Sequence, residues 1–121
     1  MRTEQDDFVL EQRVRFGTLF DLYASILTER QRLSCELLLR DDLSISELAA
    51  ELGTTRQGAH DLVRRSREHL EYIEANLHLL ALRNKLDDIG QLIEAHRDEL
   101  PPRFLEAIRR VEEAKEEPVD V

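Results

Sequence analysis

Residues 42–65, with the sequence DLSISELAAELGTTRQGAHDLVRR, have the spacing of a helix-turn-helix motif. Ala49 is a small residue in the middle of the first helix, where it lets a second helix cross closely. Gly53, four residues later, can adopt the left-handed backbone conformation that a sharp turn requires. The apolar positions expected to form a small core between the helices are Leu48, Leu52, Ala59, Leu62 and Val63. The pattern predicts a motif over about residues 44–66.

Capping residues mark where the two helices of this motif begin. Ser44 is followed three residues later by Glu47, the spacing of a capping box, so Ser44 is expected to cap the first helix. Either Thr54 or Thr55 is expected to cap the second helix. The N-terminal half of that second helix would then be exposed, as in a recognition helix that enters the DNA major groove.

The exposed face of the second helix carries side chains suited to nucleic acid. Arginine can bond guanine through two hydrogen bonds and glutamine can bond adenine in the same way. Arg65 and Arg67 are expected to contact phosphates, which positions a protein without specifying sequence. The residues predicted to face the bases are Thr55, Arg56, Gln57, His60, Asp61 and Arg64.

The charge is unevenly distributed along the 121 residues, whose formal net charge is −9. Residues 54–67, the basic segment, carry four arginines against one aspartate, a net charge of +3. Residues 1–53 have a net charge of −5 and residues 68–121 one of −7. The one basic stretch therefore coincides with the predicted recognition helix, while the remaining −12 would repel a duplex that extended past it.

Two amphipathic helices are expected before the motif. The second begins at the capping box of Thr28 and Gln31, runs to about Arg40, and is expected to bury Leu33, Leu37 and Leu38. The first runs from about Phe8 to Ile26, and its apolar positions recur every three or four residues: Val9, Val14, Phe16, Leu19, Phe20, Tyr23, and Ile26 or Leu27.

Beyond the motif, the sequence predicts one long helix to about Ala95, with Gly90 as its one weak point. Pro101–Pro102 would end the preceding structure, and Pro102 suits the first position of a final helix with Phe104, Ile108 and Val111 on one face. An acidic, disordered tail is expected to follow. We accordingly divide the chain into residues 1–67, with the motif, and residues 68–121, with the helical arm, final helix and tail.

Leucine and isoleucine residues form a seam along the long helix. Such a seam needs a partner, so we expect it either to pair with a second copy of the chain or to pack on the first helix. A homodimer would hold two recognition helices at a fixed separation, which for successive major grooves is ~34 Å. The residues of the predicted dimer seam are Leu70, Ile73, Leu77, Leu80, Leu82, Leu86 and Ile89.

The sequence offers little to an enzyme. His60, His69, His78 and His96 never pair three or four residues apart, so no helical metal site is indicated, and no glycine-rich phosphate loop or activated nucleophile is recognisable. We expect no cofactor.

The single Cys35 lies in an apolar stretch and is expected to be buried, which suits a reducing cytoplasm. No secretory signal or membrane-spanning segment is indicated, so a cytoplasmic location without membrane insertion is expected.

The middle of the chain, about Phe16 to Lys85, resembles the YlxM family of small bacterial helix-turn-helix proteins. The matching pieces are DLY, LTERQR, DDLSISELA, TRQGAHDLVRR and LEYIEANLHL. The family in turn is similar to region 4 of extracytoplasmic-type sigma factors. The resemblance implies an all-α, sigma-region-4-like helix-turn-helix bundle, here with a long C-terminal helical arm, and a tendency to dimerise.

The resemblance also implies a function, because family genes tend to lie beside the gene for the signal recognition particle GTPase. A regulatory role in that protein-targeting pathway is therefore expected, with the GTPase or the particle RNA as partner. The alternative is a transcriptional regulator that binds DNA through residues 55–67. A nucleic-acid partner would depend on the basic segment, whereas a GTPase would depend on the long helix and the acidic C-terminal segment.

Overall fold

The structure, a computed structural model, describes residues 3–114, without the side chains of Gln5 and Asp6. Within this part of the chain all regular structure is helical, which confirms the all-α class. Short 3-10 turns occupy Ala24–Ile26 and Arg97–Glu99. The α-helices, in chain order, are α1 (Glu4–Tyr23), α2 (Glu29–Leu39), α3 (Ile45–Leu52), α4 (Arg56–Leu77), α5 (Leu79–Ala95) and α6 (Pro102–Glu113).

The chain forms two compact units, of which the first ends at Arg83 and the second begins at Asn84. In the first unit α4 is the central helix and packs against α1, α2 and α3. The boundary lies beyond residue 67 because apolar residues of the expected arm contribute to the first unit's core. That core consists of Phe16, Leu19, Phe20, Tyr23, Leu27, Cys35, Leu48, Ala49, Ala59, Val63, Leu70, Ile73 and Leu80.

The first helix is displaced from its predicted bounds and buries only part of the predicted stripe. It begins at Glu4 and ends at Tyr23, after which a 3-10 turn directs Leu27, and not Ile26, into the core. The predictions for Val9 and Val14 are wrong, since both side chains are about 60% exposed. Val14 lies two residues before the buried Phe16, about 200° around the helix, and therefore faces away from the core.

The predicted burial of leucines on the second helix is confirmed only in part. Leu33 is exposed, Leu37 and Leu38 are half-buried against the core, and the fully buried residues are Ser34 and Cys35. Ser66 of α4 is also fully buried, and these small side chains allow α2 and α4 to approach closely. Both hydroxyls are satisfied within their own helices, Ser34 by donating to Gln31 O and Ser66 by donating to Leu62 O. The predicted burial of Cys35 is confirmed, and burial raises the pKa of its thiol.

The predicted helix caps are confirmed. Thr28 with Gln31 and Ser44 with Glu47 both form reciprocal capping boxes, at the starts of α2 and α3. Each box satisfies amide groups that a helix start otherwise leaves without partners, which fixes where the two helices begin.

The predicted single long helix is wrong, because the chain breaks at His78 between α4 and α5. His78 has a φ of 58°, in the left-handed region. The amides at the start of α5 are bonded by side chains from elsewhere in the unit: Glu74 accepts from the amides of Leu80 and Ala81, and the Tyr23 hydroxyl accepts from the amide of Leu79. These contacts stabilise the start of a new helix at a point where the local sequence would also permit α4 to continue. Gly90 lies within α5.

In the second unit, α6 begins with Pro102 as its first helical residue, as predicted. The predicted apolar face is rotated, since Phe104 and Val111 are exposed whereas Leu105 and Ile108 are half-buried. Leu105 and Ile108 line a cleft of about 340 Å³ together with Ile93 of α5.

Residues 115–121 of the expected acidic tail lie outside the described residues. No helix among the described residues is long and apolar enough to cross a membrane.

Candidate nucleic-acid interface

Helices α3 and α4 form the predicted helix-turn-helix. Gly53 joins them with a φ of 66°, and its amide bonds back to the carbonyl groups of Ala49 and Ala50. Ala49 is almost completely buried, which allows the close helix crossing. The predicted core is present, with Leu48, Ala59 and Val63 buried and Leu52 and Leu62 half-buried.

Thr55 is the residue that caps α4, the second helix of the motif. Its hydroxyl accepts a hydrogen bond from the amide of Gly58. A Cβ added at Gly58 would overlap the hydroxyl of Thr54 and approach that of Thr55. The glycine therefore allows both threonines to lie against the first turn, in return for its lower helix propensity.

The predicted nucleic-acid contacts lie on the first three turns of α4 and are accessible. At about 3.6 residues per turn, Gln57, Asp61 and Arg64 lie opposite the buried residues Ala59 and Val63. We call this side the outward face. The predicted residues whose exposure the structure confirms are Thr55, Arg56, Gln57, His60, Arg64, Arg65 and Arg67.

These side chains differ in what they already contact. Gln57 and Arg64 both donate to Asp61 Oδ1, at 3.0 and 3.3 Å. Arg67 lies over the Phe16 ring of α1, 5.2 Å from its centroid, and so is held at the side of the motif. Arg56 and Arg65 have no carboxylate within ion-pair distance among residues 3–114. Arg56 and Arg65 are therefore the arginines most available to phosphate groups.

A shallow cleft of about 250 Å³ lies beside the outward face, between the starts of α3 and α4. It is lined by Ile45, Arg56, Gln57 and His60. Ile45 supplies an apolar surface next to three polar side chains. Apolar surface in such a position can contact the methyl group of thymine.

Polar contacts hold α4 to the rest of the first unit. Arg15 of α1 donates two hydrogen bonds to Glu71, of 2.7 and 2.8 Å, which lower the pKa of the Glu71 carboxyl. His69 Nδ1 lies 3.1 Å from Gln31 Oε1 of α2. These contacts fix α4 to α1 and α2 on the side away from its exposed residues. A helix held in this way is rigid enough to present side chains to a duplex.

The buried carboxylate of Glu74 is a polar group that no sequence pattern indicates. Burial alone would raise the pKa of Glu74, but hydrogen bonds from Tyr23 and from the amides of Leu80 and Ala81 outweigh burial and lower it. Tyr23 and Glu74 are far apart in the chain, and no local spacing connects them. The contacts of Asp61, by contrast, follow helical spacings of three and four residues that the sequence shows.

The predicted dimer seam is divided between core and surface. Leu70, Ile73 and Leu80 are buried inside the first unit. This part of the seam therefore packs inside one chain and not against a second copy. The remaining seam residues are exposed and are Leu77, Leu82, Leu86 and Ile89.

No group of histidine, cysteine, aspartate and glutamate side chains arranged to hold a metal ion is found within residues 3–114. Of the four histidines, His69 contacts Gln31 and His96 lies 3.2 Å from Glu99.

Comparison with known proteins shows which family the chain is similar to. A family described as "Putative helix-turn-helix protein, YlxM / p13 like" matches residues 10–107. A UPF0122 protein of Clostridium botulinum (strain Alaska E43 / Type E3) is 45% identical over 71 residues, which are 59% of this chain and 65%, less than two thirds, of that protein.

Two further relatives extend the match. A UPF0122 protein of Halalkalibacterium halodurans is 40% identical over 83 residues, covering 69% of this chain and 76% of the relative. One of Bacillus cereus (strain AH187) is 37% identical over 110 residues, covering 86% of this chain and 100% of the relative. The chain therefore belongs to the YlxM / p13-like family of helix-turn-helix proteins.

Proposed function

We propose that this protein is a regulatory protein that binds duplex DNA by placing the first turns of α4 in the major groove. The observation that carries the proposal is the outward face, where exposed amide and guanidinium groups stand on a helix fixed from behind. The B-DNA major groove admits an α-helix, whereas the deep, narrow major groove of A-form RNA does not. The geometry therefore favours DNA over double-stranded RNA.

The acidity of the chain is compatible with this role because its positive charge is concentrated where contact would occur. Arg56 and Arg65 flank the outward face without partners among residues 3–114. Each phosphate neutralised by such a group steepens the salt dependence of binding. The net charge of −12 elsewhere limits the contact to a short duplex segment, unless a second copy supplies a second recognition helix.

The test measures binding of the protein to labelled DNA duplexes across a salt series. One set of duplexes has random sequence, and the other is taken from the DNA around genes of this family. Replacing Arg56 and Arg65 with alanine should weaken binding and reduce the salt slope by about 2. The matched control, R103A/R110A, removes two exposed arginines of α6 and the same charge. Equal loss in both variants, or no salt-dependent binding by the unaltered protein, would contradict the proposal.

A second candidate is a partnership with the signal recognition particle, which the family resemblance implies. It is supported by the net charge of −7 in residues 68–121, which would be attracted to a basic RNA-binding protein surface. In that case the GTPase should bind, the R56A/R65A variant should still bind it, and removal of residues 101–121 should weaken binding. Binding of particle RNA that requires Arg56 and Arg65 would instead assign the basic segment to RNA.

Homodimerisation is proposed through the exposed remainder of the seam. Leu82, Leu86 and Ile89 follow one another at spacings of four and three residues on α5 and are each more than half exposed. Sedimentation velocity should detect a dimer, and an L86K substitution should dissociate it. A monomer at the concentrations of the DNA assay would contradict the dimer and leave DNA binding to a single recognition helix.

A further inference from the structure

Asp61 lies at the centre of the outward face of α4. At about 3.6 residues per turn it projects directly away from Ala59, Val63 and Ser66, the residues that bury the helix. Its side chain is nonetheless only 35% exposed, because neighbouring side chains fold over it. A carboxylate therefore occupies the position that would approach base edges most closely.

All contacts of this carboxylate are made through one oxygen. Gln57 Nε2 donates to Oδ1 at 3.0 Å, Arg64 Nη2 donates to it at 3.3 Å, and His60 Nδ1 lies 4.0 Å from it. Oδ2 receives no hydrogen bond from the described residues 3–114. Asp61 thus holds two prospective base-contacting groups on either side and keeps one acceptor oxygen available.

The chemistry of a carboxylate restricts what such an oxygen can meet. An ionised carboxylate only accepts hydrogen bonds. In the major groove guanine presents two acceptors and thymine one, cytosine presents only the N4 amino donor, and adenine presents its N6 amino donor beside the N7 acceptor. Facing guanine or thymine, Asp61 would lose solvation without gaining a bond, and facing adenine it would gain the N6 bond but lie against the acceptor N7.

We propose that Asp61 makes this helix selective for duplexes with a cytosine at the centre of the contacted site, whose N4 amino group donates to Oδ2. The inference rests on the proposed DNA-binding function and specifies its target. Asp61 also orients Gln57 and Arg64 through Oδ1, so that adenine and guanine on either side can be bonded by groups already in place. Negative charge at this position reduces binding to sequences that cannot supply the donor.

The competing explanation is that Asp61 only stabilises the helix through contacts three and four residues away. Such pairs contribute only ~0.2–0.5 kcal/mol each to helix stability and carry no base preference. If the role were purely structural, substitution would lower thermal stability slightly and leave the selected sequences unaltered. Base preference is the readout that separates the two roles.

The test is selection of duplexes from a random pool by the full chain, the D61N variant and the E68Q variant. E68Q removes the same charge from the same helix two turns further from its start, where Glu68 lies 3.9 Å from Arg64. Wild type and E68Q should enrich cytosine at one position by about tenfold over other bases. D61N should lose that enrichment and accept adenine there, because an amide both donates and accepts. It should also bind random-sequence duplex more tightly, because a negative charge that faces the phosphates has been removed.

Two results would overturn the inference, and they differ in what they say about the function. If D61N selects the same cytosine as wild type, or if wild type selects sites without it, Asp61 does not determine specificity although the protein binds DNA. If wild type enriches no duplex at low salt, the proposed function fails together with the inference. Circular dichroism of D61N should match wild type, since the side chain lies on the surface.

Discussion

The Tyr23 hydroxyl donates a 2.6 Å hydrogen bond to Glu74 Oε1, and this pair connects α1 and α4 with the start of α5. Burial and the bond to Glu74 raise the pKa of Tyr23, so the hydroxyl stays protonated and donates. The same hydroxyl accepts from the amide of Leu79. Tyr23 and Glu74 thereby satisfy the first amides of α5, a helix whose start is not indicated by any capping residue in the local sequence.

Removing either side of this pair should destabilise the first unit. Tyr23→Phe leaves Glu74 with one donor fewer and the Leu79 amide without its acceptor, and should cost ~1–3 kcal/mol of unfolding free energy. The measurement is urea unfolding followed by circular dichroism. The control is Tyr72→Phe, because Tyr72 is 68% exposed and its hydroxyl forms no hydrogen bond within residues 3–114; its change should be close to zero. Equal effects of the two substitutions would contradict the assigned role.

The lowered pKa of Glu74 predicts how stability changes in acid. The folded-state pKa lies below the ordinary value of 4.5, so at pH values between the two the unfolded chain binds more protons than the folded one. The contribution of Glu74 is therefore complete above 4.5 and is lost as the pH falls through the folded-state pKa.

This pH dependence can be isolated by comparison with Glu74→Gln, which does not titrate. The difference in unfolding free energy between wild type and variant should be largest near neutral pH and shrink below 4.5. Other carboxylates, including Glu71, are present in both proteins and cancel in the difference. A difference that stays constant down to about pH 3 would show that the carboxylate charge is not what stabilises the α5 start.

Much of the first unit could be predicted from local sequence, because local chemistry determines those features. The capping boxes at Thr28 and Ser44 and the left-handed Gly53 depend on residues within one turn of each other. The break at His78 and the burial of Ser34 depend on contacts between distant segments, which periodicity does not encode. Spacings of three and four residues place Gln57 and Arg64 within reach of Asp61, but the sequence does not show that both bond the same carboxylate oxygen.

Glycine positions predict stability changes of opposite sign for the same substitution. Gly53→Ala places a Cβ on a backbone with φ of 66°, which should cost ~1–2 kcal/mol although no atom would be in the way. Gly17→Ala, inside α1 and also in open space, should stabilise by ~0.5–1 kcal/mol. Urea unfolding of both variants measures the pair. Stabilisation by G53A would mean that the turn between α3 and α4 is not left-handed.

Two leucines of the predicted dimer seam should respond differently to truncation. Leu70 is 0% exposed in the first unit, so Leu70→Ala should cost ~2–5 kcal/mol at any protein concentration. Leu86 is 59% exposed on α5, so Leu86→Ala should change the unfolding free energy of a monomer by no more than ~0.5 kcal/mol. If α5 pairs with a second copy, however, the L86A effect should grow with protein concentration, because dimerisation adds stability by mass action. Unfolding measured at two concentrations a hundredfold apart separates these cases, and an L86A effect that is small at both would contradict pairing through α5.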